Sequence, residues 1–226
     1  MKFTYYGHSC FAVEVAGKRL LFDPFITGNP LAQHIELASI KADYMLITHG
    51  HGDHIMDAVA LAGLTGATVV TNYEIYLWLE KQGVQNIHAM NSGGKWKFDF
   101  GHVYCTAAVH SSVLPDGTYG GNPVGFVITS AEGSFYYAGD TALTYDMKIW
   151  GKQHELDFAV LPIGDNYTMG IEDAARAAKW LKTKEVVGVH YNTFPPIQID
   201  PEEAKERFAR KGVQLHLPEI GAELIF

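Results

Sequence analysis

The chain has 226 residues, 47% of them hydrophobic, and a formal net charge of -8 at pH 7, which suits one ordinary domain spanning 1–226 around a buried core. The acidic balance argues against nucleic acid as a partner, because that binding rests on lysine and arginine neutralising phosphate. No run approaches the ~18 apolar residues of a membrane span, and two cysteines, Cys10 and Cys105, exclude a disulfide framework.

The opening Met1-Lys2-Phe3-Thr4-Tyr5-Tyr6 lacks the charged-then-apolar layout of a signal peptide, so a cytoplasmic location is expected. Strand candidates fill residues 2–24, with Ala16-Gly17-Lys18 as a hairpin turn. Cys10 lies in one of them, and Cys105 in a later one; both read as small buried hydrophobes. A strand, a loop and a helix occupy about 43–63. In that helix Ile55, Met56, Val59, Ala60 and Leu64 recur at helical spacing. Thr68–Thr71 reads as strand and Tyr73–Lys81 as helix, with Tyr73, Tyr76 and Leu77 expected in the core. Ile87–Met90 is a strand, and Lys95–His110 and Val124–Ala138 are strand pairs. Helices over Tyr145–His154 and Ile171–Leu181 flank a strand at 157–163, and Val186–Val189 is a further strand. Lys179, Lys182 and Lys184 form the densest basic group, at a helix end where cations complement the dipole. Pro201–Lys211 is a last helix, capped by Asp200 with Pro201 at its first position. The chain closes with strands at Val213–Leu217 and Glu223–Phe226. Strands clustered early and in the middle, with helices interleaved, suit a layered sandwich of mixed sheets better than a doubly wound parallel sheet.

The loop at 48–54 reads Thr48-His49-Gly50-His51-Gly52-Asp53-His54. Imidazole and carboxylate are the usual ligands of borderline divalent metals, and packing does not explain that density. His49 and His51 cannot share a helix face, so they belong on a tight loop that Gly50 and Gly52 make accessible. The loop joins a strand to a helix start, where the charge of Asp53 is favoured. The arrangement recurs. Apolar strand candidates deliver Asp23, His110, Asp140, Asp165 and His190 at their carboxyl ends, as though several strands point at one site. No phosphate-binding or dinucleotide fingerprint competes. Ser111-Ser112 beside His110 makes a poor nucleophile–base pair, because adjacent strand residues face opposite ways.

His49-x-His51-x-Asp53-His54, followed in order by His110, Asp140 and His190, resembles the metallo-β-lactamase fold superfamily over the whole chain. Within it the chain is similar to bacterial and archaeal metal-dependent hydrolases related to ascorbate-6-phosphate lactonase. That narrower likeness rests on Tyr6-Gly7-His8-Ser9-Cys10-Phe11, Asp23-Pro24-Phe25, Gly28-Asn29-Pro30, Tyr119-Gly120-Gly121-Asn122-Pro123, Ala138-Gly139-Asp140-Thr141-Ala142 and His190-Tyr191-Asn192-Thr193-Phe194-Pro195. One departure is Asp165, where that subfamily has a second glycine after Gly164. The resemblance implies an α/β fold, a four-layer αββα sandwich of two mixed sheets with the site at one edge. It implies that His49, His51 and His110 hold one metal, that Asp53, His54 and His190 hold a second, and that Asp140 bridges them. Seven protein ligands are too many for one four-coordinate ion.

The expected chemistry is metal-assisted hydrolysis of a small ester, lactone or phosphodiester, with Asp53 as a candidate donor of the leaving-group proton. Zinc is the default for a histidine-rich set, and manganese or iron also fits carboxylate and water positions. Two alternatives have other chemistry: a mononuclear iron redox enzyme, persulfide dioxygenase-like, on the same fold, and a non-catalytic metal-binding scaffold. The intact second ligand set argues against the first, and open coordination positions against the second. The expected partner is a small-molecule substrate, with no membrane and with a homo-oligomer left open. His8 and Asp23 are expected behind the ligands, Asp23 accepting a hydrogen bond from a ligand histidine. Tyr119, Asn166 and Asn192 are candidate substrate contacts on glycine-rich or polar loops. His34, His88, His102, His154 and His216 have no cluster and read as structural or surface groups, although His34 follows the Gly28-Asn29-Pro30 loop.

Overall fold

The computed structural model describes residues 1–226. The chain begins with β1 (Lys2–Gly7), β2 (Cys10–Val15) and β3 (Lys18–Phe22). Ala16 and Gly17, with φ of 50° and 72°, supply the two left-handed residues of a tight hairpin between β2 and β3. Then come β4 (Tyr44–Leu46), α1 (Gly52–Ile55), α2 (Ala58–Thr65), β5 (Thr68–Thr71), α3 (Tyr73–Lys81) and β6 (Ile87–Ala89). With the terminal β14 (Glu223–Ile225), these strands form a sheet in the order β14-β1-β2-β3-β4-β5-β6. Pairing is antiparallel from β14 to β3 and parallel from β3 to β6.

The second sheet mirrors that plan. It contains β7 (Lys95–Phe98), β8 (Gly101–Ala107), β9 (Val124–Ser130), β10 (Gly133–Tyr137), β11 (Phe158–Pro162), β12 (Glu185–Val189) and β13 (Gln214–His216). Its order is β13-β12-β11-β10-β9-β8-β7. It is antiparallel from β7 to β10 and parallel from β10 to β13. Parallel neighbours need long crossovers, supplied by α4 (Asp146–Gln153), α5 (Ile171–Leu181) and α6 (Pro201–Ala209).

Aromatic side chains fill the space between the sheets. Phe3, Phe11 and Phe22 of the first face Phe126, Phe135 and Phe158 of the second. Each such ring contributes about 1.5–3 kcal/mol on burial. On the outer face of the first sheet, α2 and α3 bury Leu61, Ile75 and Leu79. On that of the second, α5 buries Ala174, Ala175, Ala177 and Ala178 beside Phe208 of α6. The four layers are therefore helix, sheet, sheet and helix, as the resemblance implies. No helix is long and apolar enough to cross a membrane.

Two expectations from helical spacing are corrected. The helix after the histidine loop is broken between α1 and α2, and Met56 and Leu64 are exposed while Ala58, Leu61 and Ala62 are buried. The break has a cause in buried Asp57. Its carboxylate accepts from Ile26 N at 2.6 Å and Thr27 N at 3.0 Å, and its own N–H donates to Pro24 O. Meeting both demands shifts the phase of the apolar stripe. In α3, Tyr73 and Leu77 are exposed. Ile75 and Leu79 occupy the core face instead, four residues apart, and the Tyr73 and Tyr76 rings stack outside at 5.8 Å.

Candidate metal centre

Within their sheets β1, β3 and β4 run in one sense, and so do β8, β10 and β12. The chain leaves these strands toward His8, Asp23, the 48–54 loop, His110, Asp140 and His190. Three of these residues turn off their strands in left-handed backbone: His8 (φ 54°), Asp23 (φ 40°) and His190 (φ 55°). Such positions cost of order 1–3 kcal/mol for non-glycine residues, though Asp and His tolerate them better than most.

His49, His51 and His110 form one group, with ring nitrogens all within 4.8 Å of one another. His49 Nε2 and His51 Nδ1 are only 3.0 Å apart. The outer nitrogens have partners. His49 Nδ1 meets Thr48 Oγ1 at 3.0 Å, and Thr48 Oγ1 itself donates to Asp23 Oδ2 at 2.7 Å. The threonine hydroxyl therefore accepts from His49 Nδ1–H, and the lone pair of His49 sits on Nε2. His51 Nε2 meets Ser111 Oγ at 3.3 Å. Burial lowers the pKa of all three histidines, most strongly that of His49. A neutral imidazole is the form that binds metal.

The second group holds His8, Asp53, His54 and His190 within the same 4.8 Å limit. It is anchored from behind by Asp23, which is fully buried. Asp23 Oδ2 accepts from His54 Nδ1 at 2.8 Å and from Tyr137 Oη at 2.6 Å, while Oδ1 accepts from Thr48 N at 2.8 Å. That fixes the tautomer of His54 and turns its Nε2 inward. His8 bridges Asp53 Oδ2 at 3.1 Å and Thr193 Oγ1 at 2.9 Å, and its carbonyl accepts from His190 N at 3.0 Å. Burial lowers the pKa of His8 to about 4, so it is neutral.

Asp140 lies between the groups. Its Oδ2 is 3.0 Å from His190 Nε2, 3.3 Å from His54 Nε2, 3.5 Å from His110 Nε2 and 3.9 Å from His49 Nε2. Its Oδ1 is buried without a hydrogen-bond partner, which is costly for a carboxylate unless a cation meets it. Burial opposes charge on His54 and His190, but the Asp140 carboxylate outweighs it with its neighbours. His54 is raised well above the usual histidine range, and His190 to about 9. Burial likewise opposes ionisation of Asp53 and Asp140, and the surrounding imidazoles overcome it, holding both well below the usual carboxylate range. Protons on His54 and His190 thus balance two carboxylates, and a divalent ion would displace them. Convergent nitrogens, an orphaned buried carboxylate oxygen and oriented outer partners all fit a metal centre.

A cavity of about 350 Å³ opens onto the centre, lined by His51, Asp53, His110, Ser111, Asp140, Tyr167 and His190. The expected substrate contacts Tyr119, Asn166 and Asn192 are not in that lining. Tyr119 Oη donates to Asn122 Oδ1 at 2.9 Å, and Asn192 Oδ1 accepts from Ile199 N at 2.7 Å. Asn166 and Asn192 have φ of 57° and 56°. Asparagine tolerates such left-handed turns. Asp165, the departure from the subfamily's second glycine, has φ 61° for the same reason. The side chain this loop offers to the cavity is Tyr167. Thr48, Ser111, Tyr137 and Thr193 were not singled out as site residues. Tyr137 ends the strand that precedes Gly139-Asp140, and Thr48, Ser111 and Thr193 lie within three residues of a ligand candidate, which is the positional signal that could have found them.

Residues 18–191 match the family model described as the Beta-lactamase superfamily domain. A protein of Methylacidiphilum infernorum named UPF0173 metal-dependent hydrolase is 50% identical over 225 residues, 100% of each chain. One of the same name from Flavobacterium johnsoniae is 50% identical over 224 residues, 99% of each. A solved structure described as a novel metallo hydrolase of the archaeon Ignicoccus hospitalis superposes with a TM-score of 0.89 at 40% identity, covering 100% of this chain and 98% of that one.

Proposed function

The chain belongs to the metallo-β-lactamase superfamily and, within it, to the UPF0173 metal-dependent hydrolases, and on that premise we propose that it hydrolyses a small ester, lactone or phosphodiester at a two-metal centre. The observation that carries this is Asp140 Oδ2, within 3.0–3.9 Å of imidazole nitrogens from both ligand groups. His49, His51 and His110 would hold one ion, Asp53, His54 and His190 the other, and Asp140 both. Zinc suits the histidine-rich set best, with manganese and iron the other fits. Divalent ions bound there supply an activated water near neutral pH and stabilise the oxyanion that develops.

The residues around them orient and move protons. Thr48, Asp23 and Ser111 hold His49, His54 and His51 by their outer nitrogens, so each ring presents its inner one. Asp53, the candidate donor of the leaving-group proton, faces the cavity that would hold the substrate. His8, neutral and bonded to Asp53 Oδ2, holds that carboxylate in place.

The test pairs metal analysis of protein purified without chelator with turnover on lactones, phosphodiesters and thioesters. Two zinc or manganese ions per chain with hydrolysis support the proposal. One iron per chain with oxidative turnover and no hydrolysis would replace it with the mononuclear redox alternative.

A further inference from the structure

We infer that this centre selects a substrate with no charged group outside the bond it breaks, and that the Tyr167 ring is the surface against which the remainder of that substrate lies. The inference rests on the hydrolase proposal and narrows it to uncharged esters and lactones.

The first observation is where the cations are absent. Residues 20–40, 42–80, 98–147, 153–175 and 185–204 contain no lysine or arginine. Those segments carry Asp23, the histidine loop, His110, Ser111, Asp140, Tyr167 and His190, and the cavity lining contains no lysine or arginine. A phosphate or carboxylate remote from the reacting carbon, beyond the reach of ions held at Asp53 and Asp140, would be desolvated with no lysine or arginine in the lining to pair with, which is unfavourable. A phosphorylated lactone, the substrate type to which the narrower sequence resemblance points, meets this obstacle.

The second observation is Tyr167 itself. The rest of the lining is imidazole, carboxylate and the Ser111 hydroxyl, so Tyr167 supplies the one broad phenyl face. It sits at the tip of a hairpin closed by the Gly164–Gly170 bridge. Asp165 and Asn166 turn that tip in left-handed backbone, and Asp165 N donates to Met169 O at 3.1 Å. Met169 N donates to Thr141 O at 3.0 Å, which ties the hairpin to the residue after Asp140. The ring is thus carried on a braced loop while 56% exposed. A tyrosine held this way offers apolar area at low entropic cost.

In the reaction, the oxygen of water bonds to the acyl carbon and the bond from that carbon to the leaving oxygen breaks. One water proton ends on the alcohol, and the other is released as the acid ionises.

The test uses metal-loaded protein and a matched pair, phenyl acetate and 4-acetoxybenzoate, which differ by one carboxylate. The uncharged ester should be preferred in kcat/KM by at least about tenfold. Tyr167→Ala should raise KM for phenyl acetate about tenfold with kcat and bound metal unchanged, and Tyr167→Phe should stay within about twofold. Tyr167→Arg should shift the preference toward 4-acetoxybenzoate. Equal turnover of the two esters, or an unchanged KM in Tyr167→Ala, overturns the inference. Turnover of phosphodiesters alone also overturns it and leaves the hydrolase proposal standing. No turnover of any ester, lactone, phosphodiester or thioester by loaded protein removes both.

Discussion

The two ligand groups are built differently. His54 is fully buried and bonded to Asp23, which lies at the end of β3 in one sheet and also accepts from Tyr137 of β10 in the other. That group is part of the join between the sheets. In the other group His49 is also buried and reaches the same Asp23 through Thr48, but the outer partner of His51 is Ser111 at 3.3 Å on a loop. The difference teaches that the buried ligands are set by folding, whereas His51 is set by a local loop contact. Damage to the first should appear in stability, and damage to the second in metal affinity alone.

The largest effect should come where the comparison does not apply. Asp140 faces both groups, so Asp140→Ala should weaken both ions and reduce turnover by more than the 10–100-fold typical of an outer partner. Two ions retained at normal affinity, measured by equilibrium titration, would show that Asp140 does not bridge. Asp23→Ala should sharpen the contrast next. It strands Tyr137, Thr48 and His54 in the interior, at a cost of about 3–5 kcal/mol, read as a lowered midpoint in thermal or denaturant unfolding. Ser111→Ala should leave unfolding within about 0.5 kcal/mol of the parent while weakening metal affinity roughly tenfold, the low end for an outer partner. If Asp23→Ala and Ser111→Ala lowered stability equally, the distinction between the buried ligands and His51 would collapse. The smallest effects belong to the loops. Tyr119→Phe should leave KM within about twofold. Asn192→Ala should lose about 1 kcal/mol of stability with its bond to Ile199 N, without altering kinetics.

The sequence made one kind of information plain and hid another. Residues that bind through side-chain chemistry stood out by type and spacing, and the strands that end at Asp23, His110, Asp140 and His190 announced themselves as apolar runs. A layered sandwich of mixed sheets followed from those runs and the helices between them, and the family resemblance implied its four layers. Hidden were features set by backbone conformation and tertiary demand. Nothing in the pattern around Asp57 reveals that its carboxylate must reach Ile26 and Thr27, so one helix was expected where two exist. Asparagine serves both hydrogen bonding and left-handed turns, so the sequence alone did not reveal that Asn166 and Asn192 turn the backbone. Tyr73 and Leu77 satisfied a helical period that Ile75 and Leu79 also satisfy, and packing chose the second pair.

The central claim is that two groups sharing Asp140 act as one two-metal centre. The direct measurement is stepwise return of zinc to chelator-treated protein, following bound ions per chain and turnover together. The account predicts that turnover stays low through the first equivalent and rises with the second, and that His190→Ala stops at one ion with little activity. Full turnover at one ion per chain, or undiminished turnover at complete metal depletion, would contradict it.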